Sequence, residues 1–215
     1  LKKHKNKFKT FFCVTAQHRN MLDQVLEIFK IKPDFDLNLM KKNQDLYSLS
    51  SQIIQSLGRL LKNEKPDYVI VHGDTTTTFS SAIASFYSKI NVIYIESGLR
   101  THNIYLPFPE ELNRQIVSKV AYHNFAPTSQ NKKNLIRENI DPKKITVTGN
   151  TVIDALLMIN KNIIKNKNKI ADELYNILNY DLDQQDIVLI TGHRRENYGK
   201  SLEQICLAIK LLASE

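Results

Sequence analysis

The chain has 215 residues, of which 42% are hydrophobic and 24% charged, a balance that is typical of a globular protein with a sizeable core. No apolar run is long enough to cross a membrane, and the first residues lack the apolar segment of a signal peptide. The formal net charge is +8, but the lysines are scattered among asparagines, which favours solvated surface and attraction of an anionic substrate over nucleic-acid binding.

The two cysteines, Cys13 and Cys206, lie in a strand-like and a helix-like run. These positions favour buried small side chains over a disulfide framework. We therefore expect a cytoplasmic protein, with neither a membrane nor a nucleic acid as its partner.

Apolar runs rich in β-forming residues alternate with amphipathic segments along the chain. In chain order the predicted elements are a strand at 11–15, helices at 19–29 and about 44–62, a strand at 68–71, a helix, a strand at 92–95, a helix from Pro109, a strand at 123–127, a helix at 128–138, a strand at 145–150, a helix at 151–164, an apolar strand from Asp186 and a helix at about 201–213. Strands alternating with helices predict an α/β fold with a parallel sheet and right-handed crossovers.

The polar run KNIIKNKNK at 161–169 is interpreted as an exposed connection between two domains. It divides the chain into a Rossmann-like domain at 1–164, incomplete at its start, and the truncated beginning of a second Rossmann-like domain at 165–215. The second part holds one strand and one helix, which cannot bury both faces of a sheet. We therefore expect a fragment of a longer protein.

Polar side chains directly follow two of the predicted strands. Residues 68–71 and 92–95 are apolar throughout, which is typical of strands buried on both faces of a parallel sheet. Ligands bind beyond the carboxyl ends of such strands, where Asp74 and Glu96 stand, and Glu110 follows at a helix start. The sequence therefore predicts three carboxylates near one crevice.

Each carboxylate also has a simpler structural interpretation. Asp74 suits the N-cap of the following helix, although four consecutive threonines there also suit an anion. Glu96 suits a structural ion pair with Arg100, and taken alone this is the better interpretation. For Glu110 and its neighbour Glu111 the simpler interpretation is a charge that complements the helix dipole, and it is strong for Glu111. Glu110 gains weight as a site residue only from its expected convergence with the other two carboxylates.

A basic loop follows the apolar run that ends at Thr191. His193 and the adjacent Arg194 and Arg195 suit a phosphate or diphosphate, which we favour over a solvated loop. The other histidines show no metal-ligand spacing, and the sequence has neither a dinucleotide fingerprint nor a phosphate-binding loop motif. We expect no metal and no nicotinamide or ATP cofactor.

Several motifs together resemble one known family. They are TAQHRNMLDQVLEIF, VHGDTTTTFSSAIASFY, ESGLRTHNIYLPFPEELNRQ, TVTGNTVIDAL and TGHRREN. Between about Phe11 and Asn197, they resemble the bacterial non-hydrolysing UDP-N-acetylglucosamine 2-epimerases. The resemblance implies a glycosyltransferase-B-like fold of two Rossmann-like domains with the active site in the cleft between them, and a homodimer.

The resemblance also implies a reaction and its residues. The family interconverts UDP-GlcNAc and UDP-ManNAc for surface polysaccharides, through loss of UDP to a 2-acetamidoglucal and its re-addition, and needs no redox cofactor. Asp74, Glu96, Glu110 and His193 match the catalytic positions. Asp74, Glu96, His193 and Arg194 are the expected substrate-binding residues.

The chain departs from the family pattern in three places. The family's G-T-R-P-E-A-I-K-like loop and its carboxyl-terminal uridine-binding segment are absent, as expected of a fragment. Bacterial members bind a second UDP-GlcNAc as an activator near a Q-H-x-x-M element. Gln17, His18 and Met21 match that element, and Gln17 and His18 are the expected regulatory residues, but Asn20 stands where Glu or Gln is usual.

Three other functions are alternatives to this one. These motifs do not distinguish a UDP-GlcNAc epimerase from an epimerase of a related diacetamido UDP-sugar. A hydrolysing 2-epimerase is disfavoured because we expect it to carry a G-G-E type turn and to lack PFPEE. A non-catalytic nucleotide-sugar-binding fragment is disfavoured by the presence of all three carboxylates.

Overall fold

Two parallel sheets are present in the computed structural model, which describes residues 1, 4–15, 19–39, 44–178, 188–191 and 199–213. The smaller sheet pairs β1 (Cys13–Val14) with β2 (Phe35–Asp36). The larger sheet has the order β3-β4-β5-β6 and consists of β3 (Tyr68–His72), β4 (Asn91–Ile95), β5 (His123–Ala126) and β6 (Ile145–Val147). All of these pairings are parallel, which confirms the predicted α/β class.

Helices connect the strands and follow them. In chain order they are α1 (Arg19–Ile28), α2 (Leu46–Glu64), α3 (Thr76–Tyr87), α4 (Glu110–Val120), α5 (Ser129–Arg137), α6 (Thr151–Lys165), α7 (Lys167–Leu178) and α8 (Lys200–Leu212). A 3₁₀ turn at Pro142–Lys144 precedes β6. Side-chain caps fix several of the starts. Asp45 accepts a hydrogen bond from the Ser48 N–H at the start of α2, and Thr128 accepts one from the Asn131 N–H at the start of α5.

The main hydrophobic core lies between the larger sheet and helices α3 and α4. Val92 and Tyr94 are two residues apart on β4 and therefore point to the same face, where they meet Ala82 of α3 and Val117 of α4. All four side chains are fully buried. Burial of each large apolar side chain stabilises the fold by about 1.5–3 kcal/mol, so this core holds the ends of β3 and β4 in a fixed frame.

Strand β3 is buried on one face only. Val71 is buried in the core, but Tyr68 and Ile70 are 48% and 44% exposed. The prediction that residues 68–71 are buried on both faces is therefore wrong. The physical reason is that α3 packs against the face that carries Val71, whereas Tyr68 has the ring of Tyr122 beside it, with centroids 6.0 Å apart.

The polar run at 161–169 is largely exposed, as predicted, and most of it is helical. Helix α6 continues to Lys165 and α7 begins at Lys167. At the junction the Asn166 side chain donates a hydrogen bond to the Asn162 carbonyl at 2.9 Å. Of the strand predicted from Asp186, the structure describes residues 188–191, and these form no strand with the other described residues.

The chain divides into two compact units, Leu1–Leu156 and Leu157–Glu215. Every buried hydrophobic side chain among the described residues belongs to the first unit. Within the second unit, none of the side chains that the structure describes is buried. None of the described helices is both long enough and apolar enough to cross a membrane.

The two cysteines are both free thiols. Cys13 is half-buried, and burial together with the negative charge of Asp36 raises the pKa of its thiol to about 11. Cys206 is exposed on α8, so its predicted burial is wrong.

Candidate active site

Asp74 follows β3 and is held by helix α4. Both Nε and Nη2 of Arg114 donate to Oδ2 of Asp74, at 2.9 and 2.6 Å, and the Asn113 amide donates to the Asp74 carbonyl at 2.8 Å. The N-cap of α3 is Thr75, whose hydroxyl accepts a hydrogen bond from the Thr78 N–H at 3.3 Å. The simpler interpretation of Asp74 as that cap is therefore wrong, and its carboxylate serves a contact between elements.

Glu111 lies at the centre of the polar network around Asp74. Its side chain is fully buried, and its Oε2 accepts hydrogen bonds from Nη1 of Arg114 and from the Thr101 N–H, both at 3.1 Å. Its Oε1 accepts from the Gln115 side chain at 3.1 Å. The interpretation of Glu111 as helix-start charge missed this role, although Arg114 and Gln115 stand three and four residues after it on one helix face.

The network keeps Glu111 ionised in spite of its burial. Burial by itself raises the pKa of this carboxyl, but it is outweighed by hydrogen bonds from Gln115 and the Thr101 N–H, the positive charge of Arg100 and the hydrogen bond from Arg114. Together these hold the pKa of Glu111 below its usual range. Glu111 and Arg114 therefore form a true ion pair inside the fold.

Glu96 directly follows β4 and has an unusual backbone conformation. Its φ is +69°, in the left-handed region that non-glycine residues rarely adopt. Its Oε2 lies 3.5 Å from Nε2 of His72, and the His72 ring is also hydrogen-bonded to the Thr151 hydroxyl at 3.2 Å. This strain accompanies a carboxylate that is 31% exposed at the carboxyl end of the strand.

Arg100 pairs with Glu138 of the α5 C-cap, so the proposed Glu96–Arg100 ion pair is wrong. The Arg100 side chain is fully buried, and its Nε and Nη2 donate to the two Glu138 oxygens at 2.6 and 2.9 Å. Nη2 also donates to the Ser118 hydroxyl at 3.0 Å. This bidentate pair ties the loop after β4 to both α4 and α5.

The turn after Glu96 requires a glycine. Gly98 has a φ of +90°, and a Cβ there would lie 2.4 Å from the Asn131 carbonyl oxygen. The Asn134 side chain donates to the Gly98 carbonyl at 3.0 Å. The turn is thus pressed against α5, which explains why Arg100 reaches Glu138 and leaves Glu96 to His72.

Glu110 is the first residue of α4 and is half-buried. Among the residues that the structure describes, none forms an ion pair or a side-chain hydrogen bond with its carboxylate. Glu110 precedes Glu111, which binds the Thr101 N–H of the loop after β4 and, through Arg114, the Asp74 loop. The structure thus brings together the three elements that carry Asp74, Glu96 and Glu110, and their chemical roles remain predictions.

Four other predicted site residues lie outside the described residues: Gln17, His18, His193 and Arg194. Their roles stay predictions. Within the described ranges, no three His, Cys, Asp or Glu side chains are grouped so that they could hold a metal ion.

A sequence profile of one protein family, described as UDP-N-acetylglucosamine 2-epimerase, matches residues 1–215. The chain belongs to this family. A UDP-N-acetylglucosamine 2-epimerase from Neisseria meningitidis serogroup A is 49% identical over 216 aligned positions, which cover 100% of this chain and 57% of that epimerase. One from Salmonella borreze is 52% identical over 205 positions, which cover 94% and 53%. The chain spans about half the length of these curated epimerases.

A solved epimerase structure matches along the whole chain. The crystal structure of UDP-GlcNAc 2-epimerase from Neisseria meningitidis bound to UDP-GlcNAc has a TM-score of 0.92 and 48% sequence identity, and the match covers 100% of this chain and 57% of that one. The predicted family resemblance and the glycosyltransferase-B-like, Rossmann-like fold class are confirmed.

Proposed function

We propose that the full-length gene product is a non-hydrolysing UDP-N-acetylglucosamine 2-epimerase that interconverts UDP-GlcNAc and UDP-ManNAc. The observation that carries the proposal is the convergence of the loops and the helix bearing Asp74, Glu96 and Glu110 at the carboxyl ends of β3 and β4, in a chain of this family. The whole of this chain aligns with 57% of the Neisseria meningitidis epimerase, whose crystal structure is of the complex with UDP-GlcNAc.

The reaction needs a base and an acid on opposite faces of the sugar. A base removes the proton from C2, the C2–H electron pair forms the C1=C2 double bond, and UDP leaves C1 with the electrons of the C–O bond. UDP then re-adds to the 2-acetamidoglucal while an acid delivers a proton to the other face of C2. Carboxyl groups serve both steps, and the route involves no oxidation or reduction.

The three carboxylates have surroundings that suit proton transfer. Arg114 engages only Oδ2 of Asp74, so Oδ1 has no partner among the described residues. The Glu110 carboxylate is similarly unengaged within those residues, and Glu96 is partly exposed beside His72. We assign proton transfer to these three residues as a set.

The diphosphate needs cationic donors as its negative charge develops. His193 and Arg194 are our candidates, because a histidine and an arginine supply N–H groups to phosphate oxygens. We further propose a homodimer in the cytoplasm that supplies surface polysaccharide synthesis. A second UDP-GlcNAc is proposed as an activator near Gln17 and His18.

The test is incubation of the full-length gene product with UDP-GlcNAc in D₂O. We expect deuterium at C2 and an equilibrium mixture of two UDP-sugars, because the C2 proton is exchanged during each elimination. Asp74→Asn, Glu96→Gln and Glu110→Gln should each lower the rate by at least about 100-fold. Glu173→Gln, which removes an exposed carboxylate on α7, is the matched control and should leave the rate unchanged.

Other outcomes identify the competing functions. Stoichiometric free UDP and free sugar would indicate the hydrolysing class. Exchange confined to a diacetamido UDP-sugar would favour the related epimerase. The absence of any C2 exchange in the full-length protein would contradict an epimerase of either kind.

A further inference from the structure

Glu111 is buried, and its carboxylate joins α4 to the loop after β4. One oxygen binds Arg114 of its own helix and the Thr101 N–H of the loop after β4, and the other binds Gln115. An exposed carboxylate would complement the start of α4 equally well, without the desolvation cost of full burial. The burial of Glu111 therefore points to a task beyond starting the helix.

The Arg114 guanidinium donates hydrogen bonds to two carboxylates at once. Nη1 binds Glu111, whereas Nε and Nη2 both bind Oδ2 of Asp74. The planar guanidinium fixes the direction of all three bonds, which a lysine ammonium cannot do. The arrangement occupies one oxygen of Asp74 and leaves Oδ1 without a partner among the described residues.

We propose that Glu111 and Arg114 are positioning residues for the epimerase reaction. Glu111 orients the Arg114 guanidinium, and Arg114 orients the Asp74 carboxylate so that Oδ1 remains available for proton transfer at sugar C2. Neither residue has to touch the substrate: Arg114 is 8% exposed and Glu111 is fully buried. This inference rests on the proposed function and adds two residues to it.

The test uses the full-length protein with Glu111→Gln, Arg114→Lys and the double variant. Each single change should lower kcat by about 10- to 100-fold, since small displacements of a catalytic group have effects of this size. KM should change by less than about threefold, because the substrate contacts remain. The double variant should be no slower than the worse single one, because two residues that act as a unit are not additive.

A core variant separates positioning from general loss of stability. Val117, one turn after Arg114 on α4, is fully buried in the hydrophobic core, and its side chain has no polar atom that could join the Asp74–Arg114–Glu111 network. Val117→Ala should lower the thermal midpoint and keep kcat within about twofold at temperatures well below it. If Glu111→Gln does not fold, the kcat and KM of Arg114→Lys decide the question against the same control.

Three results would overturn the inference: an unchanged kcat in the single variants, a loss that appears in KM alone, or a double variant whose loss is the product of the two single losses. In each case the unsubstituted protein still exchanges deuterium at C2, so the proposed function stands. If the unsubstituted protein fails to exchange, it is the proposed function that fails.

Discussion

Glu111 shows how a charge is kept inside a small polar site. A buried carboxylate is unfavourable unless its lone pairs are satisfied. Here three donors satisfy them: the side chains of Arg114 and Gln115 on α4, and the Thr101 N–H of the loop after β4. The positive charge of Arg100 adds to this effect. The ionised form of Glu111 is therefore part of what stabilises the fold.

Glu111→Gln should consequently have an effect on stability that depends on pH. Because the pKa of Glu111 is lower in the folded chain than its ordinary value of 4.5, its stabilising contribution is complete above that value and is lost as the pH falls through the folded pKa. The difference in free energy of unfolding between the two chains should be largest near neutral pH and shrink towards about pH 3. Urea denaturation across this range measures it.

Glu173→Gln serves as the reference in that titration. It removes one exposed carboxylate on α7 and so corrects for the general change in net charge. A difference between the Glu111→Gln and unsubstituted chains that stays constant from neutral to acid pH would show that Glu111 is not held as an anion.

Site residues that a local sequence pattern marks could be predicted, but contacts between residues far apart in the sequence could not. Asp74 and Glu96 could be predicted because they follow apolar strands, whose carboxyl ends are where parallel sheets bind ligands. Arg114, the partner of Asp74, is 40 residues away, and no local pattern marks such a contact. Glu96 and Arg100 are near in sequence, yet the Gly98 turn separates them.

At the scale of elements, the loop after β4 is fixed by one buried ion pair. Arg100 is fully buried and binds Glu138 through two hydrogen bonds, and it also binds Ser118 of α4. The Ser118 hydroxyl in turn donates to the Arg114 carbonyl at 2.7 Å. The loop that carries Glu96 is thus joined to the same helix that orients Asp74.

Glu138→Gln should therefore destabilise the fold by about 2 kcal/mol, because it leaves a buried guanidinium without its carboxylate. This is less than for a fully buried pair, since the Glu138 side chain is 27% exposed. The Lys169–Glu173 pair is the control: it is exposed and 3.7 Å long, so Glu173→Gln should change stability by less than about 0.5 kcal/mol. Equal effects of the two substitutions on the denaturation midpoint would contradict the structural role of Arg100.

Elements with a clear period or cap were predictable, and short or polar ones were not. Helix α2 has apolar residues at helical spacing and Asp45 at its start, and α5 begins after Thr128 as expected. Strand β2 (Phe35–Asp36) has two residues, too few for any period. Helix α7 was not predicted, because it begins within a run of Lys and Asn whose composition is typical of an exposed loop.

At the scale of the whole molecule, the alternation of strands and helices is enough to predict the α/β class, and the order of the motifs is enough to predict the family. Neither of these patterns could predict that the buried side chains are distributed unevenly between the two units of the chain. The described core belongs entirely to Leu1–Leu156. In Leu157–Glu215, apolar side chains such as Ile177, Leu207 and Leu211 are more than half exposed.

This distribution predicts uneven protection from amide hydrogen exchange in the 215-residue chain. Amides of β4 and α4 should be the slowest, because opening them disrupts the core around Val92 and Val117. Helices α7 and α8 have 12 and 13 residues, lengths at which helices are marginal in water without tertiary packing. Their amides should exchange within about minutes, at free energies of opening close to zero.

Helix α2 is the internal comparison for that measurement, made by mass spectrometry of peptic fragments. It also lies at the surface, but Leu49, Ile53, Leu57 and Leu61 are buried along one face, so its amides should be protected well beyond those of α7. Similar protection of α2, α7 and α8 would contradict the link between buried side chains and local stability. Each of these helices has its own backbone hydrogen bonds, so a difference larger than the 19-residue length of α2 can account for would be due to packing.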